Sequence, residues 1–218
     1  MILALEFSSD QRGVALVLEE PGPPDPLAAA IGDYNQAALD LIAQVLDAAA
    51  REREAITTIA VGLGPGSYTG IRNAIALAQA WQLARGVSLL GLSSLDVLAA
   101  DARERGWIGR VHFIVDAQRN EFYHATYEMG DAEPRRVTPL RLVTRAEAVA
   151  AVGPDDIVAG PDADGVFPRG RRLHPSAASL GLLARGRSDF IAGADLIPVY
   201  LRPLTFVKAP PTRTDLGA

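Results

Sequence analysis

The stretch GLGPGSYTGIR, residues 62–72, combines glycines with hydroxyl side chains, a composition that suits anion binding. It separates an apolar run rich in β-branched residues from an apolar run with helical spacing, and so predicts a strand–loop–helix unit. Such a unit points free backbone N–H groups from the positive end of a helix dipole, where phosphates bind. Gly64 and Gly66 would let the backbone approach a ligand closely. Ser67 or Thr69 would contact a phosphate or cap the helix.

The loop lacks the residues that define two well-characterised phosphate motifs. A G-x-x-x-x-G-K-[ST] loop needs a lysine here, and the only lysine of the chain is Lys208, near the C-terminus. The dinucleotide-binding pattern G-x-G-x-x-G also fails, because the matching frame ends in Thr69. The spacing therefore leaves two interpretations open: an anion-binding loop, or a tight corner that glycines permit.

The bulk composition limits what kind of protein this can be. The 218 residues carry a net charge of −5 and give a pI of about 5.2, whereas a chain that binds nucleic acid by itself usually has a basic surface. The absence of cysteine excludes disulfides, thiol catalysis and cysteine metal sites. No apolar run reaches the roughly 18 residues of a membrane span, and the N-terminal run is too short for a signal peptide. We therefore expect a cytoplasmic protein with no membrane association.

Apolar periodicity and turn residues predict the elements of the first half of the chain. Two strands at 1–6 and 13–20, joined by SSDQR, predict a hairpin. A helix at 34–51 has one apolar face and Asp33 as its N-cap, and a helix at 71–85 is apolar on most sides and ends at Gly86. The remaining elements are strands at 58–63 and 88–92, and a helix at 94–105 that Ser93 or Ser94 caps.

The second half repeats the order of these elements. A strand at 111–116 ends in an acid, AQRN makes a turn, and a strand at 121–128 follows. A strand at 140–143, a helix at 145–152 and the stretch DIVAGPDADG then parallel the run into the glycine loop. The repeat spacing of roughly 100 residues is typical of a small domain. It predicts two related α/β halves at 1–106 and 107–218, the second ending in a strand at 195–201 and a proline-rich tail.

Several blocks of the sequence together resemble one known family. GLGPGSYTGIRNAIALAQAWQLA at 62–84 and GLSSLDVLA at 91–99 are similar to the signature region of the TsaB (YeaZ) family. IVDAQRNEFYHATYE resembles that family's second-domain hairpin, and PVYLRP near the C-terminus continues the similarity. The blocks occur in order along nearly the whole chain.

The resemblance implies a fold and a role. The fold is α/β, with two tandem domains of the actin-like ATPase and sugar-kinase type (RNase H-like), each a mixed sheet flanked by helices. The role is that of a non-catalytic scaffold and activator of TsaD, which transfers a threonylcarbamoyl group to the adenosine beside the tRNA anticodon. The resemblance further implies a TsaE-like ATPase as another partner, a homodimer when TsaD is absent, and only indirect contact with tRNA.

The resemblance also defines a metal site that this sequence does not match. TsaD-type enzymes bind metal through two histidines spaced i and i+4, which places both side chains on one helix face. His112, His124 and His174 do not have that spacing, so we expect each to be a surface or packing residue. We predict neither a metal nor a catalytic residue of that type.

An acid ends the first strand of each half. In ATP-binding relatives an acid at the position of Glu6 helps to hold metal and phosphates, whereas TsaB relatives usually have Asp there. Asp116 is the corresponding acid of the second half. These acids would contribute to a nucleotide site, with ATP or ADP bound weakly or shared across an interface, or would only hydrogen-bond the adjacent turns. The set also includes Ser8, Ser9, Gly64, Gly66, Ser67 and Thr69.

Two alternative functions follow from the same residues. An ATP-dependent transferase or ATPase would use a cleft between Glu6, Gly64, Ser67 and Asp116. A peptidase is the weaker alternative, because Ser67 with His112 or His124 and Asp116 has the residue types of a triad but no supporting spacing. Ser67 also lies outside any G-x-S-x-G pattern.

The apolar helix at 71–85 predicts a protein interface, because a helix with so few polar residues is poorly suited to a monomer surface. With the helix at 34–51 it would form half of a four-helix bundle across a subunit boundary. The resemblance implies that this face binds TsaD, or a second copy of the chain. Trp81 is the expected anchor, although part of the set must also be core. The predicted interface residues are Leu39, Ile42, Leu46, Ile71, Arg72, Ile75, Ala78 and Trp81.

Overall fold

The fold consists of two β-sheets with helices on their faces, in a computed structural model that describes residues 1–22 and 25–201. The first half contains β1 (Ile2–Glu6), β2 (Arg12–Val17), β3 (Ala28–Gly32), α1 (Ala38–Ala48), β4 (Thr58–Gly62), α2 (Tyr68–Arg85), β5 (Ser88–Leu92) and α3 (Ser94–Glu104). The second half contains β6 (Gly109–Asp116), β7 (Glu121–Met129), β8 (Arg135–Arg136), β9 (Arg141–Thr144), α4 (Arg145–Ala151), β10 (Ile157–Gly160), α5 (Ala163–Val166), β11 (Gly170–Arg172) and α6 (Ala177–Ala184). Apart from the short strand β8, both halves follow the order β-β-β-α-β-α-β-α.

The two sheets share one topology. In the first sheet β1 is antiparallel to β2 and parallel to β4, with β3 beyond β2 and β5 beyond β4. In the second sheet β6 is antiparallel to β7 and parallel to β10, with β9 beyond β7 and β11 beyond β10. This correspondence confirms the predicted repeat and the two tandem mixed sheets of the actin-like ATPase fold.

Local sequence explains where the longer helices begin and end. Ser67 Oγ accepts the Gly70 N–H at 3.2 Å and starts α2, and Gly86 ends it with a left-handed φ of 69°. Ser93 Oγ accepts the Leu95 N–H at 3.3 Å at the start of α3. The sequence offered Ser67 or Thr69, and Ser93 or Ser94, as caps, and the structure uses the first of each pair.

The last helix of each half packs on the sheet of the other half. Leu95 and Leu98 of α3 belong to the core of the second sheet, while Leu180 and Ala184 of α6 belong to the core on one face of the first sheet. Asp101 of α3 accepts hydrogen bonds from the backbone and hydroxyl of Ser176, at the amino end of α6. The domain boundary in the sequence stays a prediction, but each core includes a helix from the other half.

Two predicted elements differ from the structure. The helix predicted at 34–51 begins only at Ala38, because Asp33 Oδ1 accepts the N–H groups of Asn35 and Gln36 in a preceding turn. The prediction of Asp33 as the N-cap is therefore wrong. The strand predicted at 195–201 is also wrong: Gly193–Asp195 is a short 3-10 turn, and residues 196–201 join neither sheet.

Five elements were not predicted: β3, β8, α5, β11 and α6. The sequence of β3, AAAIG, is mostly alanine and lacks the β-branched enrichment typical of strands. The sequence of α6, AASLGLLA, is short, contains a glycine and is apolar without a clear polar face. Both elements owe their conformation to the sheet that they join or cover.

The segment after α6 explains part of the apolar character of α2. Gly193 receives a hydrogen bond from Gln79 Nε2 at 2.7 Å and donates one to Gln82 Oε1 at 2.9 Å. Leu196 enters the core of the first half. One flank of α2 is therefore covered by the chain itself rather than by a partner.

Among the described residues, no helix is both long and apolar enough to cross a lipid bilayer. Lys208 and the predicted proline-rich tail lie outside the described residues.

Candidate functional site

The glycine loop between β4 and α2 packs against the turn that follows β1. The Ser67 N–H donates to the Ser8 carbonyl at 2.7 Å, and the Gly64 N–H donates to Ser94 Oγ at 3.1 Å. A Cβ at Gly66, where φ is 152°, would lie 2.0 Å from the same Ser8 carbonyl oxygen. The loop is therefore a tight corner with two N–H groups already used within the protein. Phosphate binding by the loop stays a prediction.

The hydroxyl groups of the predicted anion site have separate roles. Ser67 Oγ caps α2. Ser9 Oγ donates to the Gln11 carbonyl at 3.1 Å and accepts the Gln11 N–H at 3.3 Å, which closes the turn before β2. Thr69 is exposed on the first turn of α2. The Ser8 side chain hydrogen-bonds Glu6, so all three serines are accounted for without a ligand.

The Glu6 carboxylate is fully buried beneath the glycine loop. Its Oε1 accepts the Ser8 N–H at 2.9 Å, and its Oε2 accepts the Ser94 hydroxyl at 2.9 Å. A Cβ at Gly62 would lie 2.0 Å from Oε2, so the strand needs glycine there. Burial raises the pKa of Glu6 to about 7, against the lowering effect of the hydrogen bonds from Ser8 and Ser94. Of the two interpretations of Glu6 and Asp116, one open cleft shared by both does not fit, because Glu6 is enclosed by its own half. Each carboxylate instead accepts a backbone N–H of the adjacent turn, which is the other interpretation.

Glu6→Gln should change how the stability of the chain depends on pH. Because folding raises the pKa, the contribution of Glu6 is fully present below the unfolded value of 4.5 and is lost as pH rises through about 7. Ionising it in the folded chain costs about 3 kcal/mol. Glutamine has nearly the same shape and does not ionise. We expect urea unfolding to show the variant about 3 kcal/mol more stable than wild type near pH 8.5, and about equal near pH 4.

Glu20→Gln is the matched control for this measurement, since Glu20 is exposed and takes no part in the contacts of Glu6. It should leave the pH dependence of unfolding unchanged. If Glu6→Gln has the same pH dependence as wild type, the assigned cost of ionising Glu6 is wrong.

Asp116 stabilises an unusual turn between β6 and β7. Its Oδ1 accepts the Gln118 N–H at 2.8 Å, and its Oδ2 accepts the Gln118 side-chain amide at 3.1 Å. Gln118, Arg119 and Asn120 have φ values of 64°, 61° and 61°. Consecutive left-handed residues that are not glycine are unfavourable, so the carboxylate compensates for part of that cost.

Asp116 has acidic neighbours that the sequence analysis did not identify. Burial raises the pKa of Asp162, and the nearby charges of Asp10 and Asp116 raise it further. Asp10 Oδ1 also lies 3.1 Å from His174 Nδ1. Negative charges grouped in this way repel phosphate. Asp10 lies in SSDQR and Asp162 lies in DIVAGPDADG, two stretches that indicated the repeat. Comparing these stretches between the two halves would have identified both acids.

The described residues contain no group of three His, Asp or Glu side chains placed to hold a metal ion. The residues of the peptidase alternative do not form a triad either. Ser67 caps α2, His112 Nε2 lies 3.0 Å from Asp156 Oδ2 rather than bonding Asp116, and Asp116 bonds Gln118. His112 and His124 are buried in the second half, as expected for packing residues.

Most of the predicted interface belongs to the core of the first half. Ile42, Leu46, Ile71, Ile75 and Ala78 are each at most 6% exposed and pack together beneath α1 and α2. The prediction that these side chains meet a partner is wrong for Leu46, Ile71, Ile75 and Ala78, which face their own sheet. Ile42 belongs to the core and also lines the outer groove between α1 and α2. Because α2 is apolar on most sides, its sequence did not indicate which face is buried.

The outer faces of α1 and α2 form an open apolar groove with a volume of about 420 Å³. We call it the α1–α2 groove. Leu39 lines it with 61% of its surface exposed, and Leu83, on α2 outside this lining, is 91% exposed. Ala43, Leu77, Ala80 and Trp81 line it, and an ion pair between Arg85 and Glu54 at 2.8 Å borders it. Leu83 was missed by the sequence analysis, although it lies on the face opposite the core.

The remaining predicted interface residues, Arg72 and Trp81, have different surroundings. The Arg72 guanidinium lies 4.4 Å from the ring centroid of Tyr68 on the exposed first turns of α2. Trp81 packs against the core and also lines the α1–α2 groove. Its indole Nε1 is buried without a hydrogen-bond partner among the described residues. Trp81 therefore contributes to both the core and the groove.

Several known proteins that are similar to this chain have names that refer to the same tRNA modification. The family model of TsaD, tRNA N6-adenosine threonylcarbamoyltransferase, matches residues 28–155. The tRNA threonylcarbamoyladenosine biosynthesis protein TsaB of Bacillus subtilis is 29% identical over 67% of this chain and 63% of that protein. The TsaB protein of Escherichia coli is 31% identical over 44% of this chain and 42% of that protein. The matches thus span less than two thirds of either relative.

A solved structure agrees with these sequence matches over a greater length. YeaZ from Pseudomonas aeruginosa superposes with a TM-score of 0.75 and 28% identity, covering 92% of this chain and 99% of that chain. The family model covers more than half of the sequence, and the superposition includes both sheets. The chain belongs to the TsaB (YeaZ) family.

Proposed function

We propose that this chain is a scaffold and activator subunit for a TsaD-like threonylcarbamoyltransferase that modifies the adenosine beside the tRNA anticodon. The observation that carries the proposal is the α1–α2 groove, which Leu39 lines from α1 with 61% of its surface exposed and Trp81 lines from α2. An open apolar groove between neighbouring helices is typical of a surface that a partner covers. Two helices from the partner would complete a four-helix bundle across the boundary.

The polar residues of the chain support a structural role rather than a catalytic one. Glu6 is enclosed beneath the glycine loop, and Ser67 caps α2. The carboxylates of Asp10, Asp116 and Asp162 disfavour an unaccompanied phosphate. The catalytic groups of the proposed complex then belong to the TsaD-like partner.

The proposal includes the other components that the family resemblance implies. A TsaE-like ATPase joins the complex, and the α1–α2 groove pairs with its copy on a second chain when the TsaD-like protein is absent. Contact with tRNA is indirect, in keeping with the net charge of −5. ATP or ADP binds this chain weakly or at a site shared with the partner.

Reconstitution tests the proposal. This chain is combined with the TsaD-like and TsaE-like proteins, the enzyme that makes the threonylcarbamoyl donor, tRNA, ATP, threonine and bicarbonate. Threonylcarbamoyladenosine is then measured by mass spectrometry of digested tRNA. We expect product only when both this chain and the TsaD-like protein are present, and none from this chain with substrates alone.

Other outcomes would identify a different function. Product formed equally well without this chain would refute the proposal. Tight binding of magnesium–ATP by the isolated chain, with turnover, would favour the ATPase or transferase alternative. Cleavage of a peptide that is lost in Ser67→Ala would favour the peptidase alternative.

A further inference from the structure

A buried chain of polar side chains lies in the second half, away from the α1–α2 groove. His112 Nδ1 is 3.0 Å from His124 Nε2, and His112 Nε2 is 3.0 Å from Asp156 Oδ2. The two imidazole rings are parallel within 4°, and both histidines are at most 2% exposed. Strand alternation places them on the face that also carries Ile114 and Phe122.

This face of the second sheet is the one that α4 covers. Ala148 of α4 packs in one cluster with Ile114 and Phe122. Asp156 Oδ2 accepts the Gly153 N–H at 2.8 Å, in the turn that follows α4, as well as contacting His112. Asp156 therefore ties the turn after α4 to the histidine pair beneath the helix.

The contact between the two rings requires one nitrogen to donate and the other to accept. If both rings were fully protonated, two N–H groups and two positive charges would meet in a buried site, which is strongly unfavourable. The hydroxyl of Thr126, 3.1 Å from His112 Nδ1, offers no negative charge to offset this. His124 Nδ1 has no hydrogen-bond partner in the described part of the chain, so a proton added there would be buried and unpaired.

The charged groups around the pair act in opposite directions. Asp156, from the turn before β10, faces His112 Nε2. Burial raises the pKa of Asp156, but the hydrogen bonds from His112 and Gly153 and the charge of Arg110 of β6 lower it overall. Arg141 of β9 opposes a charge on His124. From α4, Arg145 and Glu147 bond Val166 and Thr144 rather than the pair. Burial first, and then His112 and Arg141, lower the pKa of His124 to about 4.

We propose that the His112–His124 pair is a protonation-dependent latch for α4: while the pair carries no second proton, α4 and the turn at 152–156 stay docked on the second sheet, and uptake of that proton releases them. The first sheet does not take part, because no histidine is buried in it. Mild acidification would thus open one face of the second half while leaving the α1–α2 groove intact.

Hydrogen exchange on the full chain tests the latch, with protection factors compared near pH 7.5 and pH 5. A histidine with a pKa of about 4 when docked and 6.5 when released shifts the opening equilibrium roughly thirtyfold over that interval. We expect this loss of protection in residues 145–156 and not in the first sheet. His124→Gln, which cannot take up the proton, should reduce the change below about threefold. His174→Gln, outside the pair, should behave like wild type.

Two results would overturn the latch: the same acid-dependent opening in His124→Gln, or an opening spread evenly over both sheets. If His124→Gln does not fold, the imidazole nitrogens of the wild-type chain are titrated by NMR instead. The latch requires His124 to stay neutral to below about pH 5, and titration of His124 near its free value of about 6.5 would refute it.

Discussion

Leu39→Glu should strongly weaken association with the TsaD-like partner and leave the free chain folded. Leu39 lines the α1–α2 groove and is 61% exposed on α1, so its replacement removes little packing from the isolated chain. In the proposed complex the new carboxylate would be buried in an apolar interface, at a cost of about 3 kcal/mol. That cost weakens binding roughly a hundredfold. Calorimetry measures the affinity, and formation of threonylcarbamoyladenosine at limiting chain concentration should fall with it.

Val149→Glu is the matched control for this experiment. Val149 is 52% exposed on α4 of the second half and lies outside the α1–α2 groove. It should bind the partner like wild type. Normal binding by Leu39→Glu as well would show that the groove is not the partner surface. Trp81→Glu is a less specific variant, because Trp81 also packs against the core and a charge there would affect folding.

Gly70→Ala should destabilise the chain by about 3 kcal/mol or more, although alanine usually stabilises a helix relative to glycine by about 1 kcal/mol. A Cβ at Gly70 would lie 2.0 Å from the Phe7 carbonyl oxygen and 3.1 Å from the Phe7 carbonyl carbon. These are backbone atoms directly after β1, and Ser8 beyond them is bonded to the glycine loop. To relieve this clash, α2 must shift away from both the glycine loop and the first sheet.

The measurement is urea unfolding, supported by a melting temperature expected to fall by about 6–12 °C. Gly165→Ala provides the comparison, because Gly165 is also helical and a Cβ there would meet nothing within 4 Å. We expect that variant to be as stable as wild type or slightly more stable. Similar free energies of unfolding for the two variants would contradict the close approach of α2 to Phe7.

The sequence by itself determined most elements, the repeat and the family. Strand alternation, helical spacing and cap residues are local properties, so the hairpin of β1 and β2, the strands β4 to β7 and the ends of α2 could be predicted. The order of these elements then revealed two related halves. Elements without a local signal, such as the alanine-rich β3 and the short α6, were missed because their conformation depends on the sheets they contact.

Only the tertiary structure decided which residues are available for function. Since α2 is apolar on most sides, periodicity could not show that Ile71, Ile75 and Ala78 face the core while Leu83 faces outward. The buried face of α2 is determined by its packing against the first sheet and against the chain around Gly193. The Glu6 carboxylate likewise accepts a hydrogen bond from Ser94, 88 residues later in the chain. The sequence pattern alone left open whether this carboxylate binds a nucleotide or only the adjacent turn. Local spacing does not encode burial or hydrogen bonding between distant segments. The sequence therefore could not distinguish a residue that binds a ligand from one of the same type that stabilises the fold.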